Sequence, residues 1–199
     1  VPVFGVNFGE VGFLAACDPD GSEARDAFST AFSGAFDRLE VPALKVGLDG
    51  APAAFNDVCL ARRAGLRIAD VAYSIAGEEV GRVRCDGVVV ATPAGSTGYN
   101  LANGGPVVAW GVDGFAVSFI APHSLTARAL MVAPDDRVEL SNLSGSEPVD
   151  LVVDGRPVGE VAPGDGVEVR FERSEAVLAQ LPGSSFYQRL REKFGRLAS

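Results

Sequence analysis

The hydrophobic residues of this chain change their period near Leu39, and that change leaves few architectures open. Upstream, Ala24, Ala27, Phe28, Ala31, Phe32, Ala35, Phe36 and Leu39 recur every three or four residues, the pattern of one buried helical face. Downstream the spacing becomes two: Val71, Tyr73 and Ile75 alternate with small or polar residues, as do Val167, Val169 and Phe171. Val88–Val90 reads as a short, wholly apolar strand, and Gly77-Glu78-Glu79 as a hairpin tip. Asp154-Gly155, between Leu151–Val153 and Val158, predicts a tight turn because this pair tolerates positive φ. Four-residue spacing returns at Phe186, Leu190 and Phe194 behind Ser184 or Ser185, which predicts an amphipathic C-terminal helix. Its Arg189, Arg191, Lys193 and Arg196 are expected on a solvated face. Near the start, Val1–Val6 reads as a short strand, with Gly5, Gly9 and Gly12 in the following loop. Their spacing is not that of a dinucleotide-binding glycine loop. A helix is expected from about Ser22, with Asp20 and Glu23 spaced as a cap. The predicted fold is α+β overall and mainly β. One strand and helix lie in 1–39, β structure fills 40–182, and a helix ends the chain in 183–199.

Composition narrows the partners. At 199 residues, 47% of them apolar, the chain has enough core for one large domain or two small ones. The net charge of −9 repels nucleic-acid backbones and anionic lipid, so neither nucleic acid nor a membrane is an expected partner. A small nucleotide stays possible, since local donors hold it. No apolar run reaches the roughly 20 residues that span a bilayer, and no basic-then-apolar leader opens the chain. Three cysteines, odd in number and widely spaced, fit a reducing compartment, so the expected location is cytoplasmic. With His123 the only histidine, a zinc site of several imidazoles is excluded. Lys45 and Lys193 are the only lysines, and neither follows a glycine, so there is no Walker A loop. A chain that opens on Val1 is expected to be part of something longer.

The chemistry concentrates in residues 88–106. The apolar strand Val88–Val90 delivers the chain into Thr92-Pro93-Ala94-Gly95-Ser96-Thr97-Gly98-Tyr99-Asn100-Leu101-Ala102-Asn103-Gly104-Gly105-Pro106, a stretch without one charged residue. Glycines let backbone N–H groups approach a ligand closely. Thr92, Ser96 and Thr97 offer hydroxyls, and Tyr99 adds a flat face and a phenol. An ordinary polar turn is the competing reading.

These residues also carry a family resemblance. Thr92 to Tyr99, followed by Gly104-Gly105-Pro106, resembles the glycine-rich signature of NAD kinases, usually Thr-Pro-Thr-Gly-Ser-Thr-Ala-Tyr. Gly5-Val6-Asn7-Phe8-Gly9-Glu10-Val11-Gly12-Phe13-Leu14 is similar to that family's Gly-Val-Asn-x-Gly-x-x-Gly-Phe-Leu. Phe55-Asn56-Asp57-Val58, Arg84-Cys85-Asp86-Gly87, Pro122-His123-Ser124-Leu125 and Val153-Asp154-Gly155 follow in family order and spacing, and the tail from Phe186 resembles the usual ending. The resemblance implies a β-sandwich-like dinucleotide-binding domain over 40–182, with 1–39 the last strand and helix of an α/β domain. It implies phosphorylation of the adenosine 2′-hydroxyl of NAD, giving NADP, by ATP or polyphosphate with magnesium or manganese, in a homodimer or homotetramer.

Carried onto this chain, the resemblance implies that Asn56 and Asp57 hold ribose hydroxyls and the adenine edge. Arg67, Arg84 and Asp86 would line the dinucleotide pocket, joined by Thr92, Ser96, Arg156 and the wrapping loop Thr97, Gly98, Tyr99, Asn100, Leu101 and Ala102. Phe13 and His123 are weaker members of the same set. Read without the family, Asn56-Asp57 and Asp86-Gly87 are equally turns, Arg67 and Arg84 solvated strand positions, and His123 a structural residue before a turn. No protein ligand to a metal is expected. Ala94 replaces the usual threonine, Gly98 the alanine, Ala102-Asn103 a Ser-Ala pair, and Arg156 a common glutamine, which leaves the preference between NAD and NADH open. The family's Gly-Gly-Asp-Gly, whose aspartate takes the 2′-hydroxyl proton, is not among the 199 residues, so no catalytic residue is expected in them. Two other classes compete. A diacylglycerol- or sphingosine-type lipid kinase would need an apolar channel, and an NAD(P)-binding module would bind without turnover.

Overall fold

The computed structural model describes residues 1–9, 12–19 and 22–195. Asp20, Glu10, Val11 and Arg196 of the patterns above lie outside them. The chain forms two compact units, one of residues 1–41 and 174–199, the other of residues 42–173.

In the first unit, Val1–Val6 makes no continuous strand; Val3 and Val6 form isolated parallel bridges with Leu178 and Cys17. With one bridged residue on each side there is no ladder to extend. Helix α1 spans Ser22–Ser33. It stops there because Gly34 takes φ 79°. The Gly34 and Ala35 N–H groups then donate back to Ala31 and Thr30, a left-handed glycine C-cap. The helical period therefore runs past the helix, and Leu39 belongs to the first strand. Ala24 and Ala27 are buried, but Phe28 and Phe32 of the same stripe are exposed. Helix α3, Phe186–Phe194, buries Phe186 and Leu190 behind an N-cap at Ser185. Arg189 departs from the expected solvated face. Its guanidinium donates to the carbonyls of Phe13 and Ala15 and to Gln180. Phe13 is buried in this unit, its ring 5.6 Å from that of Phe186 and 5.8 Å from that of Phe194.

The second unit is built on strands β1 (Asp37–Val46), β2 (Asp57–Arg62), β3 (Ala69–Ile75), β4 (Glu78–Cys85), β5 (Gly87–Ala91), β6 (Phe115–Ile120), β7 (Leu130–Val132), β8 (Arg137–Asn142), β9 (Val149–Val153), β10 (Arg156–Val161) and β11 (Gly166–Gln180). β1 and β11 continue beyond it. One sheet has the order β1-β11-β8-β3-β4, the other β10-β9-β2-β5-β6-β7. Their inner faces share one core that includes Val58, Leu60, Val88, Val90 and Val117 from one sheet and Val71, Val138, Leu140 and Val169 from the other. Phe115 of β6 stacks on Phe171 of β11 at 5.8 Å across it. Each such side chain contributes about 1.5–3 kcal/mol by leaving water. The predicted mainly β, sandwich-like architecture is the one observed. The β3–β4 turn centres on Ala76-Gly77 rather than Gly77-Glu78-Glu79, since these two residues carry the positive φ of a tight hairpin. Asp154-Gly155 makes the same turn, with φ 46° and 74°. Among the described residues, no helix is long and apolar enough to cross a membrane.

Candidate functional site

Period-two geometry splits β2 and β5 between two faces. Val58, Leu60, Val88 and Val90 point into the core; Asp57, Cys59, Val89 and Ala91 point to the other side, where Cys59, Val89 and Ala91 form a second small cluster. The β2–β5 register pairs Asp57 with Ala91 and Ala61 with Gly87. The Asn56-Asp57 pair thus stands at one end of β2, and Asp86 at the other. Helix α2, Tyr99–Ala102, lies against β5 and β6.

The segment entering β2 is fixed by two residues. The Asp154 carboxylate accepts N–H bonds from Phe55 at 2.9 Å, Asn56 at 2.8 Å and Asp57 at 3.0 Å. The Asp154 N–H donates to the Asp57 carbonyl at 3.0 Å, and the Thr92 N–H to the Asn56 carbonyl at 2.9 Å. The Thr92 hydroxyl donates to the Phe55 carbonyl at 2.7 Å and accepts from the Gly95 N–H at 3.0 Å.

Asp57 itself is only 8% exposed, and its carboxyl has no hydrogen bond or ion pair among the described residues. Burial, then the neighbouring Asp154 charge, pushes it up to about 6. Burial, then the acidic groups of Cys59, Asp57 and Asp86, raises the Tyr99 phenol. The Cys59 thiol is likewise pushed up to about 12 by burial and then by Asp57, which makes it inert. All three cysteines are free.

The glycine-rich loop sorts itself into a buried frame and an exposed rim. Thr92, Ser96 and Asn100 are fully buried. The Ser96 hydroxyl donates to the Pro93 carbonyl at 2.7 Å and accepts from the Val108 N–H at 2.9 Å. The Asn100 amide donates to the carbonyls of Ser96 and Pro106. The donors of these side chains, read from sequence as ligand donors, have protein partners, while the buried Asn100 Oδ1 has none among the described residues. Gly98, Tyr99 and Ala102 are exposed, and Thr97 and Leu101 are half-buried. Ala94 is buried, so of the two missing family hydroxyls only that at Ala102 changes the outer rim.

Neither Gly95 nor Gly98 has the positive φ that glycine invites; Gly98 has φ −98°. A Cβ on Gly98 would meet the Gly95 carbonyl at 3.3 Å. Gly98→Ala should therefore fold and bind a dinucleotide normally, whereas Gly98→Val should keep the circular dichroism spectrum and bind NAD about tenfold more weakly. Equal calorimetric isotherms for the two would make this loop an ordinary turn.

The remaining predicted residues are not among the hydrogen-bonded side chains of this frame. Arg67, Arg84, His123 and Arg156 are all exposed. The Arg67 N–H donates to Glu147, and the His123 N–H to the Arg84 carbonyl. Phe13 lies in the other unit. Two contributors escaped the sequence reading. Arg62 forms an ion pair with Asp86, a partnership set by strand register across 24 residues. Asp154 reads from sequence as a turn residue within a family motif, with no site role. Among the described residues no three His, Cys, Asp or Glu side chains gather as a metal cage.

Residues 55–181 match the family model of the ATP-NAD kinase C-terminal domain. The chain belongs to the NAD kinase family. Among its NAD kinase relatives, that of Rhodopirellula baltica is 36% identical over 200 residues, covering 98% of this chain and 64% of its own length. That of Thermomicrobium roseum is 40% identical, covering 98% and 68%. The chain thus spans about two thirds of the length of these NAD kinases. In structure it is similar to yeast NADH kinase complexed with NADH, with a TM-score of 0.88 at 27% identity, over 100% of this chain and 61% of that one. An NAD kinase from Archaeoglobus fulgidus in complex with ATP has a TM-score of 0.81 at 28% identity, over 98% and 72%.

Proposed function

We propose that this chain supplies the acceptor side of an NAD kinase, holding NAD while its adenosine 2′-hydroxyl is phosphorylated to give NADP. The Asp57 carboxyl carries the proposal: it is buried, lacks a protein donor among the described residues, and is raised by that burial and then by Asp154. Ribose hydroxyls would donate to it and relieve that desolvation. Exposed Asn56 would both donate and accept at the purine edge. Tyr99 would lay its ring against the dinucleotide, with Thr97, Gly98, Leu101 and Ala102 along the same rim. Thr92, Ser96 and Asn100 would act by holding that rim in shape. Asp86, Arg67, Arg84 and Arg156 would meet the rest of the dinucleotide, with His123 at its margin.

In the transfer, the 2′-oxygen attacks the terminal phosphorus of ATP or polyphosphate. The bond from that phosphorus to its bridging oxygen breaks, and an aspartate of a Gly-Gly-Asp-Gly segment takes the hydroxyl proton. Magnesium or manganese, held with the donor's phosphates, would neutralise phosphate charge. The working form would be a homodimer or homotetramer in the cytoplasm.

Calorimetric titration with NAD should give a saturable isotherm. NADP formation should appear only when a Gly-Gly-Asp-Gly segment is joined upstream. Turnover by the 199 residues alone would move the proton acceptor into them, to Asp57 or Asp86. A flat NAD isotherm would end the proposal.

A further inference from the structure

The residues entering β2 have six backbone hydrogen-bonding groups, the N–H and C=O of Phe55, Asn56 and Asp57. Asp154 meets all three N–H groups with one carboxylate and meets the Asp57 carbonyl with its own N–H. Thr92 meets the other two carbonyls. Two residues 62 positions apart in sequence therefore dictate where the Asn56 and Asp57 side chains emerge.

We propose that Asp154 is a positioning residue of the acceptor site, orienting Asn56 and Asp57 toward the dinucleotide from the tip of the β9–β10 hairpin. The proposal rests on the NAD-acceptor reading above and goes beyond it by giving a role to a residue that touches no ligand in that reading.

The choice of residue type supports a role beyond filling a turn. Three converging N–H groups form a small anion-binding nest, which a carboxylate satisfies through charge-assisted bonds. A neutral amide cannot do so, since its NH2 would face one of the N–H donors. Asp154 is also one of only three non-glycine residues with positive φ among those described, at 46°. Asp-Gly suits a tight turn, and here the aspartate side chain also reaches back to the 55–57 amides. Its charge then opposes the Asp57 carboxylate. Asp57 is buried, and Asp154 at the hairpin tip is the charge that acts on it. A carboxyl so placed gains more from incoming hydroxyl donors than an already paired one would.

The test uses Asp154→Gly, which suits the turn's φ and removes the carboxylate, and Asp154→Asn, which keeps the shape and removes the charge. In the unliganded chain, the Asp57 carboxyl is titrated by NMR and exchange of the 55–57 amides is followed; NAD is then titrated at pH 8, where Asp57 is ionised. The expected result is faster exchange at 55–57 with Val58 and Leu60 unchanged, and a lower Asp57 midpoint in both variants. NAD affinity should fall at least tenfold while the melting temperature of Asp154→Gly stays within a few degrees of the parent. Because Asp57 becomes easier to ionise in these variants, weaker binding at pH 8 reports position and not charge state. Parental affinity in Asp154→Gly, or an unmoved Asp57 midpoint, overturns the proposal. Global unfolding of Asp154→Gly also overturns it, by making Asp154 a residue of the fold at large. If the parent chain fails to bind NAD, the acceptor reading fails first and takes this role with it.

Discussion

Gly95→Ala should add a strongly damaging methyl group beside this site. Its Cβ would stand 2.0 Å from the Asn56 carbonyl oxygen and 2.4 Å from the carbonyl carbon, both backbone atoms. Neither can rotate away, because the same carbonyl accepts from the Thr92 N–H and the Asn56 N–H is held by Asp154. The 92–95 turn and the 55–57 segment would have to separate, breaking the Thr92 bonds. Overpacking of this kind costs about 3 kcal/mol, at the upper end of its usual range. Urea unfolding should show that loss, and NAD binding should fall below detection. At Gly98 the approach is 3.3 Å, and the corresponding alanine should be silent. Unaltered stability and NAD affinity in Gly95→Ala would mean that the loop does not pack against Asn56 at all.

Asp57→Asn should separate binding from folding in opposite directions. Loss of the charged acceptor for ribose hydroxyls should weaken NAD by about tenfold to a hundredfold, or ~1.5–3 kcal/mol. Stability should rise instead. The Asp57 carboxyl moves from an ordinary 3.8 to about 6 on folding. A group raised in this way supports the fold fully below its unfolded value, and that support is lost as pH climbs through the folded one. The parent should therefore lose stability relative to Asp57→Asn between about pH 4 and pH 6, and remain the less stable of the two at pH 7.5. The affinity of the parent for NAD should improve over the upper part of that window, as the carboxylate forms, with a proton released on binding. In Asp57→Asn that inflection should vanish. Melting curves and NAD titrations across pH 4–8 check both halves. A lower melting temperature together with an unchanged dissociation constant would make Asp57 a structural residue.

How far local sequence reaches depends on which atoms are asked about. Alternation at Val71, Tyr73 and Ile75 and at Val167, Val169 and Phe171 marked β3 and β11, because side-chain direction in a strand follows from backbone pleat alone. Asp154-Gly155 announced its turn through the φ that those residues tolerate. The stripe from Ala24 to Leu39 carried less information than its regularity suggested. Gly34 ended the helix early, and Phe28 and Phe32 remain exposed in the described chain. At the C-terminal helix, spacing identified Phe186 and Leu190 as inward but left Arg189 on the wrong side. Periodicity weighs a long guanidinium as polar, whereas carbonyls of Phe13 and Ala15, over 170 positions away, provide its acceptors.

The candidate site divides along the same line. From its residues alone, the chain is determined to be mainly β, to present an uncharged glycine-rich loop after a buried strand, and to carry the NAD kinase motifs in order. Each of these is local chemistry: pleat, φ tolerance, or a run of residue types. Only the tertiary structure decides that Thr92, Ser96 and Asn100 turn inward while Gly98 and Tyr99 face out, that Arg62 pairs with Asp86, and that Asp154 holds Asn56 and Asp57. A polar side chain accepts whichever complementary group the fold brings within about 3 Å, and for Asp154 that group lies 97 to 99 positions back along the chain.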